Sequence, residues 1–458
     1  MKSPLKTPKN KPVSRSLESW LMVVSVLFIS LIAFETMAVA TAMPYIVDIL
    51  DGKNLYALAV GITLAMQLMT SALAGPWADA RGPKPVFYAG VILSSVGLSI
   101  AALAPNIEWV VVGRAIQGLG SGLLIVPLYV LVGQHVHPDR QPRFFAAFAT
   151  AWVLPSLVGP FIAGVFVEHS SWRLVFGMAP IIFALIMPLA IVQFRKFNNG
   201  RPAQPVRVGK IFWYALVAGV GIVLLQMVSA HEGAYTPSTY LTLGIGLALA
   251  MVFAKLLLPT GTFRAARGVP ATVLLRGTTN GALAGVEMFL PLMLKELHGW
   301  SATQAGLVMT VSSISWAIAS NVQGRISDPR LRDAIPVTGV VVFSFGAALT
   351  MFAAWPSITG VVVLVGWFFA GLGAGYVYPA LSVHALGLMP PERHGEVSSA
   401  LQIADTLGAS VLIAVGGIVF ALTGFLGHLS FAIPIGLMVT IMVSLIFVTT
   451  RLHPDEEE

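Results

Sequence analysis

Between residues 20 and 450 the chain alternates long apolar stretches with short polar connections. The apolar stretches fall at 20–43, 56–76, 86–104, 107–132, 144–167, 173–194, 211–229, 240–258, 271–294, 302–322, 335–354, 359–383, 397–421 and 429–450. Each approaches the ~20 residues that an α-helix needs to cross a bilayer. Their apolarity is continuous rather than alternating, which predicts helices and argues against an outer-membrane barrel. Fourteen transmembrane helices are expected. The first follows a polar tail, and its apolar run is too long for the core of a cleaved signal peptide. It reads as a retained helix.

Composition leads to the same solvent. Of 458 residues, 56% are hydrophobic and 10% are charged, against roughly 25% charged in soluble domains. The mean hydropathy is +0.83. Too few charges are present to cover a water-soluble surface of this size, which sets aside soluble enzymes and nucleic-acid binders. The net charge of +7 then reflects loops that face anionic lipid rather than nucleic acid. Zero Cys excludes disulfides and thiolate chemistry.

Basic residues orient the helices. With the N-terminus inside, all of the 27 Lys and Arg except Lys53, Arg114, Arg173 and Lys295 lie on the cytoplasmic side. Both termini are therefore expected in the cytoplasm, and the chain in a plasma (bacterial inner) membrane. The organisation reads as a basic tail, 1–19; a first six-helix bundle, 20–194; a basic linker, 195–210; an inserted helix pair, 211–258; a second linker, 259–270; a second six-helix bundle, 271–450; and a tail, 451–458.

The two bundles repeat. Gly113, Gly118, Gly120 and Gly122 recur at Gly366, Gly371, Gly373 and Gly375, a shift of 253. Gly75 and Asp79 recur at Gly324 and Asp328, a shift of 249. Pro44 and Pro291 are expected to end corresponding helices, 247 apart. Parallel six-helix halves around a central site are a transporter architecture.

Four motifs carry a resemblance to the major facilitator superfamily. Gly75-Pro-Trp-Ala-Asp79-Ala-Arg81-Gly82-Pro-Lys84 resembles its loop signature G-x-x-x-D-R-x-G-R-R/K, with Pro83 in place of a basic residue. A tight loop with an acid among basic groups can lock one conformation and release in another. Arg114-Ala-Ile-Gln117-Gly118-Leu-Gly120 resembles R-x-x-Q-G-x-G. A guanidinium in hydrocarbon is costly unless paired or hydrated, so Arg114 should face a cavity or a carboxylate. Pro155, Gly159, Pro160 and Gly164 partly match the antiporter signature G-x-x-x-G-P-x-x-G-G, whose small residues let helices approach closely.

In the first helix, Phe34-Glu35-Thr36 followed by Ala42-Met43-Pro44-Tyr45-Ile46 resembles the fourteen-helix drug:proton antiporter pattern L-D-x-T-x-V-N-x-A-L-P-x-I. Desolvation at that depth disfavours a charged carboxylate, which suits Glu35 to binding and releasing a proton. Glu287 and Asp405 are further intramembrane acids. Asp405 stands where related sequences often carry Arg, which leaves Arg114 or a loop cation as its possible partner. Gln67, Gln117, Tyr129, Trp152, Tyr376, Tyr378 and Gln402 are candidates for an aromatic-amide substrate cavity.

No HExxH, Walker or GxSxG motif and no metal-ligand spacing is found, so neither an enzyme nor a metal site is expected. The resemblance implies an all-α membrane protein with the major facilitator fold, two six-helix bundles plus two inserted helices. It further implies a monomer, surrounded by membrane lipids, that exports a small amphipathic or cationic molecule in exchange for protons. The proton gradient would be the energy source and no cofactor is needed. Export of an endogenous lipid, siderophore or peptide-like metabolite by the same fold, or a non-transporting sensor or scaffold, are the alternative readings.

Overall fold

The computed structural model describes residues 15–137, 140–197, 209–231, 236–326, 328–389 and 394–453. Most of the two expected tails, and 198–208 of the basic linker, lie outside these residues. The helices are α1 (Arg15–Ile49), α2 (Tyr56–Arg81), α3 (Pro83–Ala102), α4 (Ile107–Ser121), α5 (Ile125–His135), α6 (Gln141–His169), α7 (Arg173–Arg195), α8 (Lys210–Ser229), α9 (Pro237–Leu257), α10 (Val269–His298), α11 (Ala302–Gly324), α12 (Pro329–Met351), α13 (Val361–Gly387), α14 (His394–Thr423) and α15 (Leu429–Thr449). The face on which α1 begins and α15 ends is called the near face, and the opposite one the far face.

Thirteen of the described helical segments are long and apolar enough to cross a membrane. The expected ninth span, α10, falls outside that set, because Glu287, Asn280 and the Gly and Thr residues of 277–294 lower the hydropathy of its most apolar stretch. It is nonetheless a 30-residue helix with much of its surface buried in the second bundle.

Two expectations are corrected. The stretch 107–132 crosses as one span, as expected, but is parted at Gly122–Leu124 into α4 and α5 rather than forming one continuous helix. Pro127 sits in the first turn of α5, and its ring would clash with the carbonyl of Leu123 in a continuous helix. Pro44 and Pro291 do not end their helices. Both lie inside, followed by further helical residues to Ile49 and His298. Each removes one backbone hydrogen bond without breaking its helix, since the flanking turns are packed in the core.

Backbone contacts reproduce the repeat. A Cβ added to Gly118 would lie 2.4 Å from the Thr63 carbonyl oxygen, and one on Gly371 would lie 2.3 Å from that of Ser312. Gly120 meets the Ser94 amide nitrogen as Gly373 meets that of Phe343. Each partner is shifted by 249 residues. Helix pairing repeats too: α1 packs on α6 as α10 on α14, and α3 on α4 as α12 on α13.

The halves meet along two seams, α6 against α11 and α2 against α14. The closest approaches on the first lie in its far half. A Cβ on Gly164 would sit 2.5 Å from the Thr303 Cα, and one on Gly306 would sit 2.4 Å from the Pro160 oxygen. Thr310 Oγ1 donates to the Leu157 carbonyl at 2.8 Å and Ser313 Oγ to that of Ser156 at 2.9 Å. Ion pairs reinforce the closure. Lys53 lies 3.3 Å from Asp48 and 3.2 Å from Glu296, and Lys295 lies 2.9 Å from Asp48. Tyr45 and Tyr56 donate from the first half to the carbonyls of Trp300 and Met288 in the second. Toward the near face Val153 is 46% and Leu154 65% exposed. The far side of the α6–α11 seam is closed and its near side gapes.

The inserted pair has a definite place. α8 packs on both α2 and α14, burying Ala218, Ile222 and Leu225 against Ala65, Leu68 and Leu407. α9 packs on α8, Gly221 meeting Gly246 and Ala250, and turns an apolar outer surface outward. The pair therefore covers the α2–α14 seam from outside and leaves the α6–α11 seam uncovered.

Candidate functional site

In the first half three helices converge on Arg114. The α4 helix is capped at Asn106, whose side chain accepts from the Trp109 amide, and Arg114 points from its second turn into the bundle. Its Nη1 donates to Glu35 Oε1 at 2.5 Å and to Gln117 Oε1 at 2.6 Å. Its Nε donates to the Ala59 carbonyl of α2 at 3.4 Å, and Thr63 Oγ1 donates to the Arg114 carbonyl at 3.1 Å. Glu35 is 4% and Arg114 5% exposed. The carboxylate expected for Arg114 is thus Glu35, and the amide of the same motif, Gln117, shares the guanidinium. Such a pair is tolerable in a low-dielectric interior only because each charge has a close partner.

The second half holds its own pair, and this corrects the reading of Asp405. Its partner is neither Arg114 nor a loop cation but Arg276 of α10. Arg276 Nε lies 3.0 Å from Oδ1 and Nη2 lies 2.8 Å from Oδ2, a forked contact. Arg276 Nη1 also donates to Ser382 Oγ at 2.5 Å, and the guanidinium covers the Tyr378 ring at 4.6 Å from its centroid. Asn280 Nδ2 donates to the Asp405 carbonyl at 2.8 Å. Sequence reading missed Arg276 because it stands close to the near end of α10 and counted as one more inner-side charge. Only the packing of α10 on α14, the counterpart of α1 on α6, brings it beside Asp405.

The two pairs are not symmetry mates. The repeat places Trp367 opposite Arg114 and Ala282 opposite Glu35. Glu287 stands apart from both. It lies on α10 at helical spacing from Arg276, Asn280 and Ala284, all half-buried, and makes no hydrogen bond or ion pair among the described residues.

The remaining candidates divide. Gln117 touches the first ion pair. Tyr378 lies under Arg276 and 4.9 Å from the Trp316 ring. Tyr376 instead packs toward Gly339 of α12. Tyr129 is exposed with its ring 5.3 Å from Phe148, Gln402 is exposed, and Gln67 and Trp152 are half-buried. None of the seven lines the cleft of about 450 Å³ between α6 and α11, which is bounded by Val153, Leu157, Ser313, Ala317 and Asn321 among others.

The loop motif is a turn with free charges. Gly82, at φ 86°, reverses the chain between α2 and α3 in a conformation that suits glycine. Asp79 and Arg81 are exposed without an ion pair among the described residues. Lys84 donates to the Phe197 carbonyl beyond α7, within the same half. Asp328 caps α12, accepting from the Arg330 amide at 2.9 Å. Among the described residues, no hydrogen bond or ion pair of this loop bridges the halves. In α6, Gly164 and Pro160 form the close contact with α11. Gly159 faces Phe34 of α1, 3.4 Å from an added Cβ, and Pro155 is buried one turn earlier.

Bundled membrane-crossing helices in two repeated halves, each with an ion pair inside it, describe a multi-pass membrane protein. The sequence matches the family model of the Major Facilitator Superfamily over residues 25–412 and again over 279–458. The chain belongs to that superfamily. It is 23% identical over 424 residues to the multidrug efflux pump SdrM of Staphylococcus aureus, covering 89% of this chain and 90% of that one. It is 26% identical over 379 residues to the methylenomycin A resistance protein of Streptomyces coelicolor, covering 80% and 77%. Among solved structures, a POT family transporter in complex with 5-aminolevulinic acid aligns with a TM-score of 0.68 at 16% identity, over 98% of this chain and 99% of that one. At that identity the likeness is one of fold.

Proposed function

We propose that this protein is a drug:proton antiporter that exports amphipathic or cationic small molecules by alternating access. The observation that carries the reading is the buried Glu35–Arg114–Gln117 cluster, which joins α1 to α4. Relatives named for multidrug efflux and antibiotic resistance support the cargo class. The near face is taken as cytoplasmic from the distribution of Lys and Arg.

Because the far side is tied shut in the described state, cargo entry is assigned to the near side. Protonation of Glu35 removes the charge that holds Arg114, freeing the guanidinium to find other partners and α1 to move against α4. Glu287, with no hydrogen bond or ion pair among the described residues, is a second proton acceptor, and its carboxylate attracts a cationic cargo when ionised. The Arg276–Asp405 pair ties α10 to α14 in the second half. Coupling follows if proton and cargo favour different states. A membrane potential contributes ~2.3 kcal/mol per charge per 100 mV to each electrogenic cycle.

Glu35→Gln is the test. The variant leaves Arg114 without its counter-charge and should be less stable, but once reconstituted in proteoliposomes it should still bind cargo yet lose uptake driven by a pH gradient. Unchanged gradient-driven transport would sink the assignment. A panel of cationic drugs and lipid- or peptide-like metabolites, assayed side by side, separates this cargo class from export of an endogenous amphiphile.

A further inference from the structure

The seam left uncovered by the inserted pair has a distinctive outer surface. On α11, Leu307, Ile314, Ile318 and Arg325 follow at intervals that return to one side of a helix, and all four are exposed. On α6, Arg143, Thr150, Leu154 and Phe161 follow at the same intervals and are exposed as well. The helices run in opposite directions, so Arg143 and Arg325 both fall at the near-face end. Each stripe covers about 27 Å of helix at 1.5 Å per residue, close to the ~30 Å of a bilayer's hydrocarbon.

Between the stripes the helices splay. The cleft of about 450 Å³ is lined on one side by Val153 and Leu157 and on the other by Ile314, Ala317, Ile318 and Val322, with Asn321 and Arg325 at its near end. Apolar walls with a cationic mouth at headgroup level match one kind of neighbour in the membrane. We infer that the α6–α11 cleft is a binding site for an anionic phospholipid of the near leaflet. Its acyl chain lies between Leu157 and Ala317 and its phosphate rests on Arg325 and Arg143. The pseudo-equivalent surface around Leu68 on α2 is covered by α8, so among the described residues the second seam offers no matching cleft. The assignment depends on neither proton coupling nor the identity of the cargo.

The chain has no Cys, so a single introduced thiol reports without background. A bimane label on Ala317→Cys, in nanodiscs holding equal mole fractions of brominated phosphatidylglycerol or brominated phosphatidylcholine, reads the occupant directly. The expected result is quenching at least about threefold stronger with the anionic lipid. The preference should fall to parity in Arg143→Gln/Arg325→Gln, while Leu241→Cys on the lipid-facing side of α9 shows none. Equal quenching by both lipids at position 317 would reveal an unselective apolar slot and overturn the assignment. So would absent quenching, which would mean a closed cleft or another occupant, and so would a preference unchanged by the double Arg substitution.

Discussion

Arg114 holds four polar contacts on three helices, and Glu35 answers its charge inside the bundle. Removing one partner of such a pair leaves the other buried and alone, which costs about 3–5 kcal/mol. Arg114→Leu should therefore melt well below wild type, while Glu35→Gln/Arg114→Leu recovers most of the loss. Thermal unfolding in detergent checks this, and additive losses would show that the two do not interact. Glu287 makes no hydrogen bond or ion pair among the described residues, so Glu287→Gln should melt like wild type while the pH dependence of transport shifts. Glu35, Arg114, Glu287 and Asp405 were legible in the sequence because charge within apolar runs stands out. Arg276 was not, because a basic residue near the inner end of a span looks like any other loop charge. Only the packing of α10 on α14 distinguishes it.

At the scale of elements, glycine spacing was the most readable signal. It marks where one backbone passes another, and the structure places those contacts at matching points in both halves. Gly306 is the sharpest case, since an added Cβ would meet the Pro160 carbonyl oxygen at 2.4 Å. Gly306→Val should force α11 away from α6 at the far side. Spin-label distances across the far half of that seam should lengthen, and unchanged distances would show that the contact does not close it. The break between α4 and α5 and the continuity of α1 and α10 through Pro44 and Pro291 were not legible. A proline can end, kink or merely weaken a helix, and the surrounding core decides which. The place of α8 and α9 was equally hidden, since lipid-facing apolarity says nothing of which seam a helix covers.

At the scale of the whole molecule, ion pairs on the far face tie the two halves together. The ion pairs among Asp48, Lys53, Lys295 and Glu296 are exposed to differing degrees, and pairs of that kind are worth about 0.2–1 kcal/mol each. Their loss cannot unfold the protein, but it can shift a balance between conformations. Asp48→Asn/Glu296→Gln should raise the far-open population about two- to fivefold, read by labelling of single cysteines from the far side. The central claim is that proton movement and cargo movement are one cycle. Its most direct measurement is the pH inside reconstituted vesicles when a cationic cargo is added without any imposed gradient. The expected result is a cargo-dependent proton flux opposite to the cargo, present in wild type and absent in Glu35→Gln. Cargo movement with no accompanying change in internal pH would contradict it.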